Sequence, residues 1–254
     1  MSETWARRRS TLAAQARAGS AGLPSLASIL REVSTLHHDD VFIIEASSGE
    51  SITYGRIFHD AAALAQTLQA RGVTRGDRVV VMADNCLDYV FAAFGLMLCG
   101  AVMVPVSERF GDAGLRSIMQ RAAPVMLLRG PGVPSQGWAR VPQPVIRELM
   151  EAATGPARWN PVEIRADEPI VILFTSGTTG DAKGVVLSAG SQLADHLTYG
   201  HEMGLGRESR FIQVMPVDHA DGWGYTLLVP FLNGASVLLT QPFDFRVCAQ
   251  FEAV

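Results

Sequence analysis

Phe174-Thr175-Ser176-Gly177-Thr178-Thr179-Gly180-Asp181-Ala182-Lys183-Gly184 gathers four hydroxyls, glycines at 177, 180 and 184, and a cation into one short stretch. That cation is the only lysine of the chain; the remaining basic residues are arginine. Glycine lets backbone N–H groups come close to a phosphate, and hydroxyls add donors. An ammonium is a compact, strongly hydrated point charge that a guanidinium does not imitate. The stretch therefore reads as a cradle for a polyphosphate. Its flanks, Ile170 to Phe174 and Gly184 to Ser188, are apolar and rich in β-branched residues, so the loop joins two strands. The nucleotide loop found at strand-to-helix turns needs a glycine before its lysine and a Ser or Thr after it. Counted from Gly177, Ala182 and Gly184 occupy those places, and that reading fails twice. A solvated Ser/Thr/Gly turn is the bland alternative, and the length and strand context of the motif argue against it.

Outward from the loop, strand and helix patterns alternate. Ser51 to Gly72 is a helix that Thr53 can cap, with Ile57, Phe58, Ala61, Ala62, Leu64, Ala65 and Leu68 at helical spacing. Arg78 to Met82 reads as a strand, Asp88 to Cys99 as a helix, Ala101 to Val106 as a strand, Asp112 to Ala123 as a helix and Val125 to Leu128 as a strand. Beyond the loop come a helix (Ser191 to Met203), a strand (Arg210 to Met215), a helix (Trp223 to Leu232) and a strand (Ala235 to Thr240), with a helix beginning in Phe243 to Val254. Such alternation predicts an α/β fold of layered, largely parallel sheets covered by helices on both faces. Proline-rich Gly130 to Pro161 is read as a surface excursion. The expected division is an N-terminal extension over 1–25, a first α/β subdomain over 26–160, and a loop-bearing part of a second subdomain over 161–254.

Bulk properties narrow the function. The chain has 254 residues, is 48% hydrophobic and 18% charged, and carries a net charge of -4, with no basic block beyond Arg7-Arg8-Arg9, which disfavours nucleic-acid binding. Trp5 to Gly19 lacks the apolar core of a secretory signal and is read as a solvated helix or a frayed terminus rather than an import peptide. Uncharged Val90 to Val106 imitates a membrane span, but Gly95, Gly100 and Pro105 divide it into a buried helix and a strand. Cys86, Cys99 and Cys248 are odd in number and set in apolar runs, so they are read as reduced buried thiols and the location as cytoplasmic.

From Thr175 to Gly184 the loop resembles the phosphate loop of the adenylate-forming, AMP-binding enzymes: acyl-CoA synthetases, aryl-acid and luciferase-type ligases and peptide-synthetase adenylation domains. Their pattern is Thr-Ser-Gly-Thr-Thr-Gly, any residue, Pro-Lys-Gly; Ala182 replaces the proline and leaves the loop less preorganised without removing a phosphate donor. Ile52-Thr53-Tyr54, Gly76-Asp77-Arg78-Val79 and Leu98 to Val106 resemble the upstream blocks of these enzymes in order and distance, so the likeness covers roughly Leu26 to Thr240.

The resemblance implies the N-terminal part of an ATP-dependent acid–thiol ligase, in which a small carboxylic acid attacks the α-phosphorus, expels pyrophosphate and becomes an acyl-adenylate that a thiol displaces. It implies ATP with Mg2+ and, as acceptor, coenzyme A or the phosphopantetheine thiol of a carrier protein. Thr175, Ser176, Gly177, Thr178, Thr179, Gly180, Lys183 and Gly184 would hold the phosphates, with Lys183 also catalytic. Pro216-Val217-Asp218-His219-Ala220-Asp221-Gly222 resembles the Pro-Leu-Phe-His, two residues, Gly block, 18 positions before Gly234. On that alignment His219 lines the acyl pocket and meets the carboxylate, with Asp221, Gly222 and Trp223 beside it; a histidine satisfied in the core or a metal ligand with Asp218 and Asp221 is the alternative. Asp221 also falls where peptide-synthetase domains carry the aspartate that pairs with an α-amino group, and equally reads as a helix N-cap before Trp223. Asp218 stands in place of phenylalanine and makes the block unusually acidic. Downstream of the loop, the family's Tyr-Gly-x-Thr-Glu and Thr-Gly-Asp segments and C-terminal lysine have no counterpart in this sequence. The chain is accordingly read as an N-terminal half, completed by a C-terminal half supplied in trans or acting as a non-catalytic nucleotide-binding or regulatory fragment. An amino-acid-activating fragment and an unrelated phosphotransferase are the remaining alternatives.

Overall fold

The computed structural model describes residues 2–18, 22–153, 162–175 and 182–242. Two helices open the chain, α1 (Ser2–Arg17) and α2 (Leu26–Leu36), followed by strands β1 (Val41–Glu45) and β2 (Ser51–Thr53). Next come α3 (Tyr54–Ala70), β3 (Arg78–Met82), α4 (Leu87–Cys99), β4 (Val102–Val106), α5 (Gly111–Ala122), β5 (Met126–Arg129) and the short α6 (Ile146–Glu151). The remainder is β6 (Pro169–Thr175), β7 (Lys183–Ser188), α7 (Ala189–Glu202), β8 (Arg210–Gln213), a π-helical segment (Asp221–Leu228), α8 (Val229–Asn233) and β9 (Ser236–Leu239). Thr53 caps α3 through its side chain, which accepts from the Arg56 amide.

One sheet has the order β5-β3-β4-β6-β7, parallel except for the antiparallel β6–β7 hairpin. The other has the order β2-β1-β9-β8, with only the β1–β2 pair antiparallel. Each sheet takes strands from both sides of residue 160. Strands β3 and β4 are buried on both faces, as their unbroken apolar runs require. Val79 and Val81 join the main core, whereas Val80 and Met82 pack with Leu115 and Ile118 of α5. All residues of α4 are buried, and Phe94 ties the layers together against Phe42 of β1 (6.0 Å between rings) and Phe231 of α8 (4.6 Å). Gly100 ends α4 in the left-handed conformation at φ 77, so the apolar run over 90–106 divides into helix and strand. Among the described residues no helix is long and apolar enough to cross a membrane.

Two expectations are corrected. The N-terminal helix is docked rather than solvated: the Trp5 indole is buried and donates to the Leu232 carbonyl (3.2 Å), and Arg9 donates to Asn233 Oδ1 (2.7 Å). Its buried residues, Trp5, Arg9, Leu12, Ala13 and Ala16, follow one helical stripe. The stretch after Gly130 is more than a surface excursion. The Leu127 and Arg129 amides donate to the carbonyls of Pro142 and Pro144, and α6 buries Ile146 and Leu149. Residues 154–161 of that stretch, the helix expected over 243–254 and Cys248 lie outside the described residues. Cys86 is half-buried, Cys99 is buried, and both are free; burial pushes each thiol up to about 11, so neither is a thiolate at neutral pH.

Asp88, in the first turn of α4, has a fully buried carboxylate. Burial raises its pKa above the ordinary aspartate range, while Arg147, 2.5 Å from Oδ1 but outside hydrogen-bond geometry, pulls it down. The native state thus holds this proton more tightly than the unfolded chain. The contribution to stability is present at low pH and lost as pH rises from the ordinary aspartate range through the raised native value. Asp88→Asn should therefore gain stability relative to the parent as pH rises through that window. Denaturant titrations of both proteins from pH 4 to 8 check this, and a difference that is flat with pH would contradict it.

Candidate active site

The parallel strands of the five-stranded sheet end on one edge, where the Thr175–Lys183 pair flanks the phosphate-loop sequence and a cavity of about 500 Å³ is lined in part by Pro216, Val217 and Asp218. Chain order along that sheet reverses at β3–β4, the kind of switch point at which open α/β sheets bind ligands outside their carboxyl ends. The cavity is lined from the segments just beyond β3 (Asp84, Asn85), β4 (Ser107, Arg109) and β5 (Gly132), and by Asp218.

The loop itself closes on a Thr175–Lys183 cross-strand pair. Both residues are exposed, as is Gly184. An added Cβ at Gly184 would come within 2.9 Å of Ile172 Cγ2, so the absent side chain permits the close cross-strand packing. Ala182, at the position where the family has proline, is buried with Phe174 under the sheet. Ser176, Gly177, Thr178, Thr179 and Gly180 lie outside the described residues.

Residues 215–218 are held mainly by groups sequence reasoning did not single out. Asn85 donates from Nδ2 to the Met215 carbonyl (2.9 Å) and accepts at Oδ1 from the Val217 amide (3.0 Å). The Tyr89 hydroxyl, on buried α4, donates to the Val217 carbonyl (2.8 Å). Asp218, flagged as an acid in an apolar block, accepts from the Ser107 hydroxyl (2.7 Å) and pairs with Arg109. That oddity was the available signal, since an ion in a buried place calls for a partner; nothing in the sequence named Arg109 as that partner.

His219 follows directly, one residue outside the cavity lining, with 60% of its side chain exposed. Its Nδ1 accepts from the Asp221 amide (3.3 Å) and stands 3.5 Å from Asp221 Oδ2. Asp221 is not a cap: Ala220 holds that position, and Asp221 sits in the first turn of the π-helical segment without a capping bond. Gly222 is buried against the 216–217 backbone. Trp223 is 1% exposed and its indole donates to Gln192 Oε1 (3.1 Å), so it faces the core in this structure. A π-helical turn is uncommon and concentrates at functional sites; here the Thr226 hydroxyl reaches back to the Asp221 carbonyl at 3.1 Å. Among the described residues no group of three His, Cys, Asp or Glu could hold a metal ion.

This fold and the motifs along its sheet edge define an adenylate-forming enzyme's N-terminal architecture. The family model for AMP-binding enzymes matches residues 30–254, and the chain belongs to that family. It is 27% identical over 222 residues to the sulfoacetate–CoA ligase of Cupriavidus necator, covering 81% of this chain and 43% of that protein. Similarity to the nonribosomal peptide synthetase tcpP of Claviceps purpurea is also 27%, over 87% of this chain and 11% of that protein. Among solved structures, the Klebsiella oxytoca NpsA N-terminal subdomain in complex with 3-hydroxybenzoyl-AMSN is similar with a TM-score of 0.78 and 25% identity, over 90% of this chain and 57% of that one. The chain thus spans less than half the length of these curated relatives.

Proposed function

We propose that this chain carries the phosphate and acyl side of an acid–thiol ligase that activates a small carboxylic acid with ATP and passes the acyl group to a thiol, that of coenzyme A or of a carrier protein. The observation that supports it best is the exposed Thr175–Lys183 pair at the foot of the loop, on the same sheet edge as His219. An exposed hydroxyl and ammonium at the base of a glycine- and threonine-rich turn fit a phosphate group. In this reading Lys183 and the loop donors bind the pyrophosphate leaving group, and His219 donates to the carboxylate. Magnesium bound to the phosphates would supply further charge neutralisation. Catalysis by these residues is positioning and electrostatics, with no covalent enzyme intermediate. Because the relatives extend well past the matched region, contacts to adenine and ribose are expected from a further part of the enzyme. We place the enzyme in the cytoplasm, in keeping with Cys86 and Cys99, the described cysteines, which are free and in the thiol form.

The test is Lys183→Ala. A charge-assisted hydrogen bond contributes about 1.5–3 kcal/mol, so in the enzyme completed by that further part acid-dependent exchange of labelled pyrophosphate into ATP should fall roughly ten- to hundredfold. Since Lys183 is the sole lysine, an amine-reactive label applied after blocking the α-amino group reports on it alone. ATP with magnesium should protect it from the label. Protection without exchange would indicate a nucleotide-binding fragment without ligase activity, and labelling that ATP does not slow would remove Lys183 from the phosphates.

A further inference from the structure

The Asp218 side chain is 7% exposed, and its two oxygens meet Ser107 and Arg109, both just beyond β4. Arg109 Nε also donates to Ser107 Oγ (3.2 Å), which closes the three side chains into a ring. Burying a carboxylate in a place an apolar side chain could fill does not add stability in general; what a bonded ion pair adds is a fixed geometry. Here the geometry belongs to the residue before His219. Val217 is already held at its amide by Asn85 and at its carbonyl by Tyr89. Among the described residues the His219 ring has polar contacts only within its own turn, to Asp221.

We propose that Ser107, Arg109 and Asp218 form a positioning lock that sets where the His219 ring stands at the rim of the cavity. Asp218 is the residue held and Arg109 and Ser107 hold it. Arg109 is also the sole cation among the described cavity-lining residues, which include Asp84, Glu108 and Asp218, so its loss alone would change the cavity's charge as well as the lock. Asp218→Asn, nearly isosteric, breaks the ion pair without that complication. The consequence for acid recognition rests on the function proposed above; the placement of His219 does not.

Imidazole-selective NMR on the chain resolves the two. The chain has six histidines, and His219→Gln assigns the signal of interest. In Asp218→Asn and in Arg109→Gln the His219 ring signals should shift while the other five stay in place. The exchanged pair Arg109→Asp with Asp218→Arg should return them toward the parent position. Unmoved His219 signals in Asp218→Asn would overturn the lock, as would a shift that the exchanged pair leaves unrepaired. Should the asparagine variant unfold, Asp218→Leu decides: parent-like His219 signals in a folded leucine variant would show that an apolar wedge suffices, and altered signals confined to His219 would support the lock. In pyrophosphate exchange by the completed enzyme, Asp218→Asn should raise KM for the acid about tenfold and leave KM for ATP unchanged, and should add nothing in a His219→Gln background. A positive NMR result with no change in acid KM would keep the lock and refute His219 as the carboxylate contact.

Discussion

Gly222→Ala should be the most damaging single-methyl substitution in the site-bearing segment, costing about 3 kcal/mol or more of stability. A Cβ at this position would lie 2.0 Å from the Pro216 carbonyl oxygen, 2.6 Å from its carbon and 2.9 Å from Val217 Cα. All three are backbone atoms, so no side chain can rotate aside. Relief requires the π-helical segment to move away from residues 216–217, which Asn85 and Tyr89 hold from the other side. The damage therefore reaches His219 and the cavity rim together. Gly137→Ala is the control, because a Cβ there meets nothing within 4 Å, and a change within about 0.5 kcal/mol is expected. Guanidinium denaturation of the two variants checks the contrast, and equal midpoints would refute it.

Much of this organisation was legible in residue patterns because it is local. β3 falls on Arg78–Met82 as the apolar run indicated, Thr53 caps α3, and the loop joins two strands. What escaped reading is long-range or chemically muted. Nothing local tells β1 that, besides its sequence neighbour β2, it pairs with β9 from the far part of the chain, and so the interleaving of the two sheets was not visible. The buried stripe of α1 is a proper helical repeat, but it is filled by alanines and by Arg9, so it did not read as a packing face. Proline density concealed the pairing of residues 142–145 with β5, whose bonds use proline carbonyls and need no proline N–H. At the site, the phosphate loop and the His219 block were found through motif order. Their geometric support was not, because Asn85, Tyr89, Ser107 and Arg109 act through contacts more than 100 residues away in sequence.

Asn85 illustrates how much rests on one such residue, and Asn85→Ala should cost about 3 kcal/mol. The side chain is 2% exposed and all of its strong bonds go to backbone: Nδ2 donates to the carbonyls of Met215 (2.9 Å) and Thr240 (3.0 Å), and Oδ1 accepts from the Val217 amide (3.0 Å). An asparagine carboxamide supplies two donors and one acceptor from a single plane, which suits these three groups. Truncation strands them. A buried backbone group left without a partner costs about 1–3 kcal/mol; Met215 is partly exposed and can recruit water, leaving Val217 and Thr240 to carry most of the loss. Asn85→Asp keeps the acceptor for Val217 but faces two carbonyls with a carboxylate, so it should be at least as destabilised at neutral pH and recover toward acid, where a protonated carboxyl can donate once. The measurement is denaturant stability of both variants at pH 7 and pH 5, with hydrogen exchange at the Val217 amide as the local probe. An alanine variant within 0.5 kcal/mol of the parent, or unchanged exchange at Val217, would show that the strands of the two sheets are joined at residues 215–217 by something other than this side chain.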